Sequence, residues 1–203
     1  MEKTGKRALG RPATITAPRE TILAHAARLF AEKGFEGASL QDVAKAVGIS
    51  KAAVYHYFPT KQVIYDEIVI DLLSRLREHV QAEIEGTAPF NDRLRQMMVA
   101  HASFFEANYE SFVTLLHGFG GLSRTLAPGQ VSVRDEYETM IRGLMTDASA
   151  SGELVMADPA IAARAVLSML NWMARWYRPG GRLAARDFAE EYFQLIYNGL
   201  RPR

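Results

Sequence analysis

The sequence predicts an all-α fold in two parts, a small helix-turn-helix unit followed by a larger helical body. Three observations predict it. Apolar residues recur at i, i+3, i+4 and i+7 along most of the chain, and no alternating strand pattern or internal repeat is present. The stretch 39–61, SLQDVAKAVGISKAAVYHYFPTK, has the form of two short helices around a tight turn containing glycine. Breaks rich in Gly and Pro cut the remainder into helix-length pieces.

Residues 1–17 are polar, basic and aperiodic, which predicts a disordered arm. Its Lys3, Lys6, Arg7 and Arg11 suit either a phosphate backbone or plain solvation. The first helix starts near Pro18, a good first-turn residue, and ends at Gly34. Ile22, Leu23, Ala26, Ala27 and Phe30 face the helix-turn-helix, with Phe35 and Leu40 completing a small core. Ser39 and Asp42 form a capping-box pair, and Leu40, Val43, Ala44 and Val47 line one face of a helix over about 40–47. Gly48 closes that helix in the left-handed conformation, Ile49 plugs the turn, and Ser50 caps the next. That next helix runs from Lys51 to about Phe58, and Pro59 stops it.

The helix from Lys51 carries the chemistry. Such a helix enters the major groove of DNA with its N-terminal residues against base edges. Lys51 suits guanine O6 or N7, while Ala52 and Ala53 suit a thymine methyl. Tyr55, Tyr57 and Lys61 are donors for phosphate oxygens, which fix register without reading sequence. Ser39, Gln41, Ser50 and His56 belong to the same candidate set. The alternative is a solvated helix pair whose aromatics fill a core. Charge favours the nucleic acid. Residues 1–61 hold ten Lys/Arg against five acids, and the remaining 142 hold 14 basic and 18 acidic residues, although the whole chain is only +1.

GISKAAVYHYFPTK resembles the recognition segment of the TetR family of transcriptional regulators. Tyr55, Tyr57, Phe58 and Lys61 occupy the positions that close the family's DNA-binding helix, with Tyr57 where the family often has His. The resemblance is strongest over residues 22–65. It implies a DNA-binding domain at 18–60, a ligand-binding and dimerisation domain at 61–203, and release of DNA by a small molecule.

The second part supplies long helices. One starts at Lys61 and runs to about 85, with Val63, Ile64, Ile68, Leu72, Leu76 and Val80 on its buried side. It links the two parts, and its N-terminus beside Lys61 is expected to share a phosphate. Further helices are predicted over about 90–107, 110–117, 130–151, 159–177 and 185–200, broken by Gly86–Pro89, the GFGG stretch, Gly152 and Pro179-Gly180-Gly181. Asp158 caps the helix beginning at Pro159. No Ser or Thr stands where Ala184 would cap the last helix. The helices over 159–177 and 185–200 are apolar on more than one face and are expected to pair with a twofold copy as a four-helix bundle. Such a homodimer would present its reading helices to half-sites of a palindromic operator about 34–36 Å apart.

Met and aromatic residues are dense in the middle helices, which suits either a ligand pocket or ordinary core. His101, Phe104, Phe105, Tyr109, Phe112, Tyr137 and Ile141 are the pocket candidates there. MLNWMARWYRPGGRL, residues 169–183, resembles a C-terminal signature of the TetR branch that responds to acyl-CoA thioesters. Asn171, Trp172, Trp176, Tyr177, Arg178, Pro179, Gly180 and Leu183 match it in order. The resemblance implies an acyl-CoA effector, with Arg175, Arg178 and Arg182 available to its phosphates and Trp172 or Trp176 to a ring or the acyl chain. The alternative is that these arginines complement the end of their own helix.

Other classes are disfavoured. There are no cysteines, so disulfides, thiolate catalysis and Cys-ligated zinc are excluded. The five histidines show no metal-ligand spacing, and no Ser elbow is present, so neither an enzyme nor a cofactor is expected. No membrane-length apolar run or signal-peptide core exists, which points to the cytoplasm. A repressor of the multidrug type is the rival within the same family; acids in the pocket would favour it, with Glu106 and Asp135 the ones to inspect.

Overall fold

The computed structural model describes residues 18–84, 86–119 and 128–200. The expected arm at 1–17 and Gly120 and Gly121 of the GFGG stretch lie outside them. The described residues are helical with no strand. The helices are α1 (Pro18–Gly37), α2 (Leu40–Val47), α3 (Lys51–Tyr57), α4 (Lys61–Glu83), α5 (Phe90–Ala107), α6 (Tyr109–Phe119), α7 (Pro128–Ala150), α8 (Pro159–Trp172) and α9 (Ala185–Leu200).

The first three helices enclose a small core of Ile22, Ala26, Phe30, Phe35, Val43, Val54 and Phe58. Phe30 and Phe35 meet edge to face at 5.4 Å between centroids, and Phe35 meets Tyr65 of α4 at 5.3 Å. Gly34 breaks the helix geometry near the end of α1. That break turns Phe35 back into the core.

α4 is 23 residues long, about 34 Å at 1.5 Å per residue. Ile64, Ile68, Leu72, Leu76 and Val80 are buried along it, so it belongs to both cores. Thr60 caps it, its hydroxyl accepting from the Val63 N–H at 3.2 Å. α5 is the axis of the larger part, burying Leu94, Met97, Met98, His101, Phe104 and Phe105. α6 lies between the parts. Its buried Thr114 hydroxyl donates to the Ala27 carbonyl of α1 at 2.7 Å, and Tyr65 Oη donates to the Leu115 carbonyl at 3.3 Å.

Three details differ from expectation. The helix expected over 159–177 stops at Trp172 and tightens into a 3₁₀ turn, Met173–Arg175, which carries Trp176 and Tyr177 out of helical register. α8 and α9 do not pair closely with each other. α8 packs chiefly on α7, and α9 on α5. The start of α9 is served by two carboxylates: Ala184 N–H donates to Asp187 Oδ2 of its own first turn at 2.8 Å, and Ala185 N–H donates to Glu106 Oε2 of α5 at 3.2 Å. A carboxylate from another helix thus satisfies one of the free N–H groups at the start of α9.

Candidate nucleic-acid interface and ligand cavity

The turn between α2 and α3 is held by its own caps. The Asp42 N–H donates to Ser39 Oγ at 3.1 Å, and the Ser39 N–H donates to Asp42 Oδ2 at 3.0 Å. The Ser39 hydroxyl, donating to Asp42 Oδ2 at 2.6 Å, lowers the Asp42 carboxyl below its ordinary value, helped by the Ser39 N–H and by Lys33 at 3.6 Å. Gly48 sits at φ 79°, ψ 27°, and its N–H and that of Ile49 close the last turn of α2 on the Ala44 carbonyl. A side chain with a Cβ at that φ would be strained. Ser50 Oγ accepts from the Ala53 N–H at 3.1 Å and starts α3.

α3 buries only Val54, which frees its other side chains. Lys51, Ala52, Tyr55 and His56 are exposed, Ala53 and Tyr57 partly so. Ser39, Gln41, Lys51, Tyr55 and Lys61 converge on one concavity of about 440 Å³ between α2, α3 and the start of α4. Lys51 Nζ lies 5.6 Å from the Tyr55 ring centroid, and His56 packs edge to face on Tyr57 at 5.2 Å. Ser50, Ala52, Ala53, His56 and Tyr57 lie outside the concavity.

Lys61 is engaged within the chain. Its ammonium turns inward, donating to the carbonyls of Ala38 at 2.9 Å and of Phe35, and lying 4.4 Å from the Phe35 ring centroid. It ties the end of α1 to the start of α4. Replacing Lys51 with Ala is expected to weaken operator binding by about 1–3 kcal/mol and relax base preference at one position. Equal losses on operator and random DNA, measured by fluorescence anisotropy, would remove Lys51 from base reading.

The second concavity is a cavity of about 480 Å³ between α4, α6, α7 and α8. Leu73, Leu76, Phe112, Leu115, Tyr137 and Leu167 give it apolar walls. Arg134, Arg164 and Arg175 stand around it with Glu138, Ser168, Asn171 and Trp172. Arg164 Nε bonds Glu138 Oε1 at 2.8 Å, and the Arg175 guanidinium lies 5.1 Å from the Trp172 ring centroid. Exposed α8 side chains at 164, 168 and 171 form one helical row that Arg175 continues, so the cavity opens along α8.

Phe112, Tyr137, Trp172 and Arg175 of the expected pocket line this cavity. His101 is fully buried behind it, its Nδ1 2.9 Å from Tyr137 Oη. Burial pushes the His101 imidazole down to about 4, a shift that the Asn171 side chain only partly opposes, and burial pushes the Tyr137 hydroxyl up. Ile141, Phe104 and Phe105 are core. Phe104 and Phe105 both stack edgewise on Phe112, which keeps them one layer away.

Tyr109, Trp176 and Arg178 are not in the cavity either. Tyr109 Oη donates to the Tyr177 carbonyl at 3.2 Å, Arg178 Nη1 donates to the same carbonyl at 2.9 Å, and Trp176 packs edgewise on Phe188 at 4.9 Å. Tyr177 Oη donates to Glu106, and Gly180 turns the chain at φ 78°. The Trp-Tyr-Arg-Pro-Gly segment therefore locks the 3₁₀ turn to α5, α6 and α9. Sequence reasoning missed Leu73, Leu76, Leu115, Arg134, Glu138, Arg164, Leu167 and Ser168 of the lining. The leucines carry no signal apart from the core, and only the i, i+4 row on α8 would have placed Arg164 and Ser168 beside Asn171 and Arg175.

Comparison with known proteins adds the lineage. Residues 22–68 match the family described as bacterial regulatory proteins, tetR family, and residues 87–200 match the tetracyclin repressor-like C-terminal domain. The chain is similar to a TetR family transcriptional regulator, PfmR, from Thermus thermophilus, at 43% identity and TM-score 0.81 over 89% of this chain and 99% of that one. It is 25% identical to the HTH-type transcriptional repressor KstR2 of Mycobacterium tuberculosis (strain ATCC 25618 / H37Rv), over 92% of this chain and 94% of that protein. It shares its fold with AibR, solved in complex with isovaleryl coenzyme A and operator DNA, at 24% identity and TM-score 0.77 over 89% of this chain and 98% of that one. PfmR and KstR2 are transcriptional regulators. With both family domains matched in order along its length, the chain belongs to the TetR family of DNA-binding transcriptional regulators.

Proposed function

We propose that this regulator is a homodimeric repressor released from a palindromic operator by an acyl-CoA thioester held in the α4–α8 cavity. The observation that carries the reading is the pairing of apolar walls with Arg134, Arg164 and Arg175 at one cavity. A thioester of coenzyme A has that shape of chemistry, an apolar acyl group joined to a polyanion. Guanidinium groups bond phosphate oxygens in pairs, and the leucine walls take the acyl group. The complex of AibR with isovaleryl coenzyme A and DNA supports the same class.

The DNA end is assigned to Ser39, Gln41, Ser50, Lys51, Ala52, Ala53, Tyr55, His56 and Tyr57, with Lys61 holding the frame. Dimerisation is assigned to the outer faces of α8 and α9. Ile161 and Leu195 there are 64% and 68% exposed, large apolar side chains that a partner helix would cover. Filling the cavity moves α4 and α6 relative to α1 and spoils half-site spacing, provided that the ligand binds the two states with different affinity.

The rival reading, a sensor of cationic compounds, has less support. Glu106 is bonded to Tyr177 and Ala185, and Asp135 faces a different, outer groove. Among the described residues the carboxylate lining the cavity is Glu138, and it is paired with Arg164. Thermal unfolding with acyl-CoA thioesters, free coenzyme A, the matching acids and cationic dyes tests the choice. A thioester at about 100 times its Kd is expected to add about 2.7 kcal/mol of stability and to displace operator DNA. Stabilisation by dyes and none by thioesters would overturn the acyl-CoA reading.

A further inference from the structure

A polar pair stands behind the cavity, and a polar side chain in its wall completes a chain with it. His101 is fully buried, with Nδ1 2.9 Å from Tyr137 Oη. A neutral imidazole has one N–H and one lone pair, so its two nitrogens play opposite parts. Burial keeps this ring neutral, while the Asn171 side chain strengthens the ring's hold on its proton. An amide does that when its oxygen accepts from a ring N–H. The network therefore assigns the proton to Nε2, facing Asn171 Oδ1, and has Tyr137 Oη donate to Nδ1. Nε2 is buried and falls short of full hydrogen-bond geometry with any described residue. A buried N–H without an acceptor is costly, and the amide torsion of Asn171 is broad enough to close that gap.

Holding the amide by its oxygen decides what it shows to a ligand. Asn171 is exposed on the outer row of α8 and lines the cavity between Ser168 and Arg175. No described residue accepts from its Nδ2, so that group's N–H donors are left for the cavity. We infer that Asn171, held by the Tyr137–His101 pair, is a specificity-determining donor. It bonds a carbonyl oxygen of the effector where the molecule passes from the arginines to the apolar walls. The inference rests on the acyl-CoA reading and narrows it. An acyl-CoA has two kinds of carbonyl between its phosphates and its acyl chain, the thioester and the amides of the pantetheine arm. Their oxygens only accept, which matches an amide that is fixed as a donor. An amide free to flip would accommodate donor and acceptor alike. His101 is a positioning residue that acts on the ligand only through Asn171.

Isothermal titration calorimetry on the full-length protein tests it with an acyl-CoA and the S-alkyl-CoA thioether of the same length, which lacks the thioester oxygen. Asn171→Leu is expected to bind the acyl-CoA about tenfold more weakly than wild type, the worth of one net hydrogen bond. A loss confined to the acyl-CoA places the thioester oxygen at Asn171. An equal loss with the thioether places a pantetheine amide there. Operator affinity without effector is expected to stay unchanged, and a parallel fall in it would make Asn171 a structural residue and overturn the inference. If the leucine variant does not fold, Asn171→Asp keeps the size and the acceptor for His101 while removing the donor, and a loss at least as large is expected. His101→Phe is expected to weaken acyl-CoA binding in wild type and not in Asn171→Leu, a dependence that a purely structural role would lack. Acyl-CoA binding by Asn171→Leu within about twofold of wild type would overturn the inference and leave the acyl-CoA reading intact. No binding of either compound to wild type would overturn both.

Discussion

Replacing Lys61 with Met is expected to lower stability by about 2–3 kcal/mol and to leave the salt dependence of DNA binding unchanged. Met keeps an unbranched side chain of similar reach on the Phe35 ring. It removes the donor from the part-buried carbonyls of Phe35 and Ala38, together with the cation lying over that ring. The loss falls on the junction that sets α3 relative to α4, so affinity for operator and for random DNA is expected to fall together. A lysine that neutralised a phosphate would behave otherwise. Its removal would lower the slope of log K against log salt by about 0.9 and leave unfolding unchanged. Urea unfolding and a salt titration of DNA affinity separate the two. A flatter salt slope with unchanged stability would return Lys61 to the phosphate backbone.

The second large effect is with pH. His101 is neutral and buried in the native state, with its imidazole held near 4, whereas in the unfolded chain it titrates at its ordinary value of 6.5. Between those values the unfolded state binds a proton that the native state does not. Stability from this group is therefore complete above about pH 6.5 and declines as pH falls towards 4, by about 3 kcal/mol in all. Carboxylates lose stability in an overlapping range, so the informative quantity is a difference. Unfolding free energies at pH 7 and pH 5 are expected to drop by about 2 kcal/mol more in wild type than in His101→Gln, which cannot titrate. Equal drops would mean that the native ring is protonated.

Much of the fold is legible in the sequence because its signals are local. The capping box at Ser39 and Asp42, Gly48, and the single-faced runs on α4 and α5 each specify their element without help from the rest of the chain. α8 and α9 are harder because each is apolar on more than one face. On α9 the residues with the clearest apolar character include Leu195, yet Ala185, Ala189 and Phe193 form the buried row. Small alanines admit close packing on α5, and periodicity of bulk does not show that.

The cavity is less legible than the helices for a related reason. The Trp-Tyr-Arg-Pro-Gly run attracts attention as a ligand signature, but its aromatic and charged groups are used by the 3₁₀ turn, whose geometry depends on Glu106 about seventy residues away. The lining comes instead from plain leucines and from arginines that look like surface solvation in one dimension. The inward bonds of Lys61 are hidden in the same way. A lysine at a helix N-terminus beside a DNA-reading helix suits a phosphate, and nothing local in the sequence shows that the break at Gly34 brings backbone carbonyls within its reach.

α6 has the cavity on one flank, through Phe112 and Leu115, and on the other the backbone of α1, through the bond from Thr114 to Ala27. A wall shared by two chambers carries pressure in both directions. Whatever factor by which a filled cavity loosens the grip on DNA, bound DNA loosens the grip on the cavity's occupant by that same factor. On the function proposed above, the protein seated on its operator is a duller sensor than the protein free in solution, and the unbound pool half-fills at an effector concentration lower by that factor.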